Sequence, residues 1–368
     1  MRPRHRRRLR ILLVVLAVLA ILLIGARIAL PFVLTDRINE RLADAGDYTG
    51  SIEDVDLWLV LGTATVHGLH VERAADADRH KRTAIVCPRI HADWRWWDVF
   101  QGELVGTLRI VEPSVEMIDT AVEDREPDRA DGGITLVLPD VIPFTITEAT
   151  VERGRIRFVT RDTEPTVDLQ ATGIEARLTG LTNQPDPEAV ELPARFQVEA
   201  IGPGDSAMQA DVRFDPLAEL VHADLNASFE GVDLTQLNDL LRAYAELDVN
   251  EGRAHLFTEI SVALGSYDGY VKVLIRNLDV FSWKGDIGEG LTGLLWEAVA
   301  GGLAELLENQ EKDQQAARIP IRGDLGGADA DISAAIGSIL TNAFVRALMP
   351  GVENTFTYQE DPSIARTP

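Results

Sequence analysis

The sequence predicts a mainly β protein: an N-terminal transmembrane helix, then one elongated, curled antiparallel sheet, with a few helices toward the C-terminus. Three observations predict it. Residues 1–10 read MRPRHRRRLR, and residues 11–26 form an unbroken apolar run, ILLVVLAVLAILLIGA. The next two hundred or so residues mostly alternate apolar and polar side chains, the period of strands with one apolar face. Gly, Pro, Asp and Asn separate these segments at intervals of about 10–17 residues, as expected of turns.

Arginines ahead of an apolar helix stay on the cytoplasmic side, so the rest of the chain is expected across the membrane. The run alone makes about 24 Å of helix, whereas a bilayer core of roughly 30 Å needs about 20 residues. Extension to residue 30 supplies them, with Arg27 near the far end and able to snorkel to the interface. A cleaved signal would need a small-x-small site. Residues 25–31, GARIALP, are poor context for one, and no cysteine stands directly after the run for lipid attachment. An uncleaved single-pass anchor is the preferred reading and a cleaved signal the alternative. The expected organisation is an Arg-rich tip and anchor over 1–34, a β-rich domain over 35–350, and a disordered tail over 351–368.

Residues 34–45, LTDRINERLADA, read as a short juxtamembrane helix. About thirteen strands are expected between Tyr48 and Gly323. The clearest alternation gives Phe196 and Val198; Met208, Val212 and Phe214; Leu225 and Phe229; and Leu256, Ile260 and Val262. These ten are the candidate lining of an apolar face. Asp233 is placed to cap a helix over 234–245, with Gln236 at capping-box spacing. Leu234, Leu237, Leu241 and Tyr244 fall on one side of it. Residues 290–309 and 332–348 also carry apolar residues at helical spacing. Residues 120–133 and 183–193 read as loops.

The chain has 368 residues, 46% of them hydrophobic, enough for a real core. Its net charge is −24, and −30 without the six leading arginines, which argues against a nucleic-acid partner. Cys87 is the single cysteine, so no disulfide forms within the chain. No Gly-x-Ser-x-Gly elbow and no phosphate-binding Gly-Lys-Ser/Thr loop is present. The glycines of 285–290 are in the wrong order for a dinucleotide loop. His67 and His70 have a metal-like spacing, but residues three apart on a strand face opposite ways. With 59 acidic residues, a carboxylate pair carries no signal. No catalytic, cofactor-binding or metal-binding residue is assigned, no cofactor is expected, and the chain is read as no enzyme. The run Asp93-Trp94-Arg95-Trp96-Trp97 stands out. With Arg27, the indoles of Trp94, Trp96 and Trp97 are membrane-interface candidates, and packing under a loop is the competing reading.

A curled sheet with an uncovered apolar face would be a groove for lipid chains, and a sheet folded onto itself a packed sandwich. Period-two alternation is the same in both. Several segments carry a likeness that separates them. Tyr48-Thr49-Gly50-Ser51-Ile52 leads into Val55-Asp56-Leu57. Trp94 to Leu108, then Ile110-Val111-Glu112-Pro113-Ser114-Val115, fits a "W…L…G-x-L…P-x-V" unit, with Phe100 where leucine is usual. Arg153-Gly154-Arg155-Ile156-Arg157-Phe158 fits "nG-x-I-x-F". The longest match runs from Gly231-Val232-Asp233-Leu234 through Ala243-Tyr244 and Glu251-Gly252 to Gly269-Tyr270-Val271-Lys272. Ile319-Pro320-Ile321-Arg322-Gly323 matches a C-terminal element. In these segments the chain resembles the AsmA-like superfamily of Gram-negative envelope proteins, in its inner-membrane-anchored periplasmic branch whose domain has no assigned function. The resemblance covers most of residues 48–348. It implies an inner-membrane anchor, a periplasmic β-groove and no catalytic centre. It also implies phospholipid as the bound partner, with a role in intermembrane lipid transport or outer-membrane biogenesis. A non-transport scaffold for envelope proteins is the alternative, and another envelope protein or a second copy is the expected further partner.

Overall fold

The computed structural model describes residues 3–43, 48–73, 81–119, 143–161, 163–184, 191–218, 221–245, 247–263, 265–283 and 314–324. The expected helices over 290–309 and 332–348 and the tail over 351–368 lie outside these residues.

The chain is mainly β. Among the described residues, fourteen strands form one large, curled, mixed sheet. They are β1 (Tyr48–Ser51), β2 (Asp54–Trp58), β3 (Thr63–Arg73), β4 (Lys81–Trp94), β5 (Leu104–Val111), β6 (Ser114–Asp119) and β7 (Phe144–Thr160). They continue with β8 (Val167–Thr182), β9 (Ala194–Gly202), β10 (Ser206–Phe214), β11 (Ala223–Asp233), β12 (Leu247–Ala263), β13 (Ser266–Trp283) and β14 (Gln314–Asp324). The order is β1-β3-β4-β5-β7-β8-β9-β10-β11-β12-β13-β14, with β2 on β3 and β6 between β4 and β7.

The sheet is mixed rather than antiparallel throughout, because β7 runs parallel to both β5 and β6. β5 and β6 are one line of chain interrupted at Glu112-Pro113, since β4 pairs antiparallel with both in one register. A hairpin reverses the chain in two residues, whereas a parallel neighbour needs a return of a dozen or more. Residues 120–143 supply that length between β6 and β7. The alternation shows which residues form strands and not which way a neighbour runs.

The strands bend together along one transverse line. Gly68, Glu112, Arg153, Gly173, Gly231 and Asn277 all have left-handed backbones, with φ between 51° and 75°. They are neighbours in register. Gly68 interrupts the β3–β4 ladder beside the His67–Arg89 pair, and Arg89 faces Val111, next to Glu112. Gly154 faces Ile174, next to Gly173, and Thr172 faces Ile201 at the end of β9. Arg253 of β12 faces Arg276, next to Asn277. Left-handed residues and bulges bend a strand, and here they bend the sheet as a unit. The β9–β10 hairpin stops at this line, leaving a gap between the lower ends of β8 and β12.

A helix fills that gap. A 3-10 turn, Leu234–Leu237, leads into α3 (Asn238–Ala245), which touches both β12 and β8. Asp233 caps the turn, accepting from the Thr235 N–H at 3.0 Å and its hydroxyl at 2.6 Å. The Gln236 amide, expected in a capping box, donates to Asp205 at 2.8 Å, tying the 3-10 turn to the β9–β10 turn. Leu237, Leu240 and Leu241 are buried. Leu237 and Leu241 pack with Val232, Val249 and Ala254, with Leu169 of β8 against them. (α2 is the short helix Trp96–Phe100.)

At the other edge, α1 (Pro3–Ala43) is one continuous helix. Residues 34–45 are therefore not a separate helix: Pro31 lies inside α1 without ending it. The C-terminal half of α1 lies along β1 and β2. Asn39 exchanges two hydrogen bonds with the Ile52 backbone, 2.7 and 3.2 Å. Arg27 donates to the Leu57 carbonyl at 2.8 Å and stacks over the Trp58 ring at 3.6 Å. Leu12–Val18, Ile21 and Ile24 expose their side chains. Side chains within residues 11–26 are described only in part, and among the described residues no helix is long and apolar enough to cross a membrane.

Candidate functional site: an apolar face across the sheet

Residues directly opposite on neighbouring strands share a face. One row runs Leu57, Ala64, Ala92, Leu108, Ala149, Leu178, Phe196, Val212, Leu225, Ile260, Gly269 and Ile321. A parallel row runs Val55, Val66, Ile90, Ile110, Val151, Ala176, Val198, Ala210, Ala227, Thr258 and Val271. Thr258 is the sole polar member, and its hydroxyl donates to the Tyr270 carbonyl at 3.0 Å. The first row crosses twelve strands, about 53 Å at 4.8 Å per strand.

The row between them points to the opposite face and is polar: Asp56, Thr65, His91, Arg109, Thr150, Arg177, Gln197, Asp211, Asn226, Glu259 and Tyr270. Ion pairs lace this outer face: Arg177 to Glu148 at 3.1 Å, Arg322 to Asp268 at 2.6 Å, and Arg195 to Asp211. Lower on the sheet, Arg157 takes Asp168 in a two-point pair at 2.6 and 2.9 Å and Glu116 at 3.1 Å, joining β6, β7 and β8. Their guanidinium partners hold the Asp168 and Asp211 carboxyls below the usual carboxylate range. Such exposed pairs stabilise little, but they keep this face in water and so fix which face carries the apolar rows.

The apolar face has two regimes. From β3 to β9 the row residues are half-buried except Ala176, and among the described residues no second sheet lies over them. From β10 to β14 they close into a packed cluster: Val212, Ala223, Leu225, Ile260, Val262, Val271 and Ile321 are 1–4% exposed.

The ten sequence candidates all lie on this one face, in the two rows or in the flanking triplets Phe214–Ala223–Val262 and Met208–Phe229–Leu256. Val212, Leu225, Ile260 and Val262 belong to the packed cluster, while Phe196, Val198, Met208, Phe214, Phe229 and Leu256 are half-buried. The part of the half-open face between β3 and β7, Val66, Ile90, Ile110 and Val151, is missing from the sequence candidates, which reach the half-open face only at Phe196 and Val198 of β9. Each lies on a strand broken by Gly68, Pro88, Pro113 or Arg153, which cuts the alternation into pieces too short to stand out.

The tryptophans divide. Trp96 is half-buried and donates to the Leu59 carbonyl at 2.5 Å. It meets Trp94 edge-on at 5.8 Å and Phe100 at 6.2 Å. Trp97 is 74% exposed. His67 and His70 take different carboxylates, Asp56 at 3.4 Å and Glu72 at 3.0 Å. Among the described residues no cluster of metal-ligating side chains forms. No family model matches the chain, and no curated protein matches it.

Proposed function

We propose that the chain is an inner-membrane-anchored periplasmic protein that binds phospholipid along its apolar face and contributes to intermembrane lipid transport or outer-membrane biogenesis. The observation that carries this reading is the pair of rows from β2 to β13, apolar at every position but Thr258. The resemblance to AsmA-like envelope proteins supports it. So does α1, a helix whose basic start and exposed apolar residues suit an anchor with its N-terminus in the cytoplasm.

Acyl chains would lie against the half-open stretch between β3 and β9, each buried methylene contributing about 0.8 kcal/mol. The rows offer apolar side chains strand after strand, so neighbouring positions give an acyl chain similar contacts and a chain can shift along them. The half-open stretch crosses six strands, about 24 Å at 4.8 Å per strand, so it serves as one stage of a path, handing lipid to another envelope protein or a second copy. Mass spectrometry of gently extracted full-length protein tests this. Co-purified phospholipid is the expected result; folded protein free of lipid would contradict it.

A second reading, a non-transport scaffold for envelope proteins, is favoured by the packed cluster of β10–β14, where part of the face is already filled. Crosslinking to one specific protein with no bound lipid would select it.

A further inference from the structure

The loop between β2 and β3 and the short helix α2 form one exposed apolar tip. Trp58, Val60, Leu61, Trp97 and Phe100 are 50–79% exposed, in a chain whose net charge is −24. The two segments are joined: Trp96 donates to the Leu59 carbonyl at 2.5 Å, and the Trp94 N–H to the Gly62 carbonyl at 2.8 Å. The tip is not free to collapse onto the sheet. Gly62 has φ +70°, and a Cβ there would meet the Trp94 carbonyl at 2.3 Å, so the loop is fitted against the strand end behind it. Its one acid, Asp98, is paired with Arg95 at 2.7 Å.

The position of α1 shows what this tip faces. Asn39 sits at Ile52, and Arg27 sits at Leu57 and Trp58. Going from Asn39 back to Arg27, the helix travels up β2 to the tip. It covers about 18 Å at 1.5 Å per residue, matching the roughly 17 Å of five strand residues. Immediately beyond Arg27 comes the exposed apolar stretch of α1. The tip therefore stands level with the point where that stretch leaves the domain, with Arg27 and Trp58, a cation and an indole suited to the interfacial layer, between them.

We infer that Val60, Leu61, Trp97 and Phe100 insert into the lipid interface beside α1, so that the domain is seated on the membrane at two places. Two attachments fix its orientation and bring the β2–β5 end of the apolar face to the bilayer surface. This rests on the anchored reading of α1. The occupant is the bilayer that α1 enters; a protein partner is the competing outcome.

The test uses the full chain in phosphatidylcholine nanodiscs containing lipids spin-labelled near the headgroup or near the chain end. Cys87→Ser removes the one native thiol, which is buried. A fluorophore is then placed at Val60→Cys, Leu61→Cys or Phe100→Cys, at Lys272→Cys on the outer face, and at Val18→Cys in α1. For residues seated at interfacial depth, the headgroup-proximal label should quench the fluorophore at the three tip positions and leave it unquenched at residue 272. Quenching at residue 18 with none at the tip would overturn the inference and leave the anchor standing. Absence at residue 18 as well would overturn both. Loss of tip accessibility only when a protein is added would assign the tip to a protein partner and also overturn it.

Discussion

At the scale of single residues, Asp233 sets where the helix beneath the β9–β10 hairpin begins. Its carboxylate caps the turn into α3, and α3 fills the gap left by the short β9–β10 hairpin. The Thr235 hydroxyl holds the Asp233 carboxyl below the usual carboxylate range, with the Thr235 N–H and Gln236 adding to the effect. A carboxyl whose folded pKa is depressed stabilises the fold above its unfolded pKa, and that contribution is lost as pH falls through the folded value. Asp233→Ala should therefore cost about 1 kcal/mol near neutrality. The gap from the parent should narrow on acidification. Asp233→Asn keeps an acceptor without the charge, and should fall between the two with a flatter acid response. Urea midpoints at several pH values measure all three.

At the scale of elements, the bend line and the two regimes of the apolar face make different demands on similar side chains. Leu225 is 3% exposed within the packed cluster, so Leu225→Ala should cost roughly 2–4 kcal/mol. Ile110 is half-buried on the open part of the same face, and Ile110→Ala should cost less than half as much, because a site already open to solvent leaves no closed cavity. Denaturation midpoints of the two variants decide it. The same contrast explains how much was legible in the sequence. The mainly β class, one face of the sheet and the helix after Asp233 follow from period, spacing and a cap, all local properties. The parallel placement of β7 does not follow, because it depends on residues 120–143 returning the chain, and alternation carries no strand direction. The open half of the face was hidden for a related reason: left-handed residues such as Gly68 and Arg153 align only when strands are placed side by side. Packed and open members of one row, Leu225 and Ile110, are both apolar residues in period-two strands, so their difference lies entirely in what covers them.

At the scale of the molecule, the acidic domain is repelled by anionic lipid heads, so lipid contact has to come through apolar surface. The described residues offer three such surfaces: the exposed stretch of α1, the tip beside it, and the rows across the sheet. They meet at the β2 end, where Arg27 and Trp58 join the helix to the domain. The central claim is that the rows hold acyl chains, and the alternation of the sheet gives it a direct test. A photo-crosslinking residue is placed at Val66, Ile110 or Val151, and separately at their neighbours Thr65, Arg109 or Thr150, which face the other way. The full chain is then irradiated in membranes containing labelled phospholipid. The account predicts lipid adducts at Val66, Ile110 and Val151 and none at Thr65, Arg109 and Thr150. Equal labelling of both sets, or none in either with the fold intact, would contradict it.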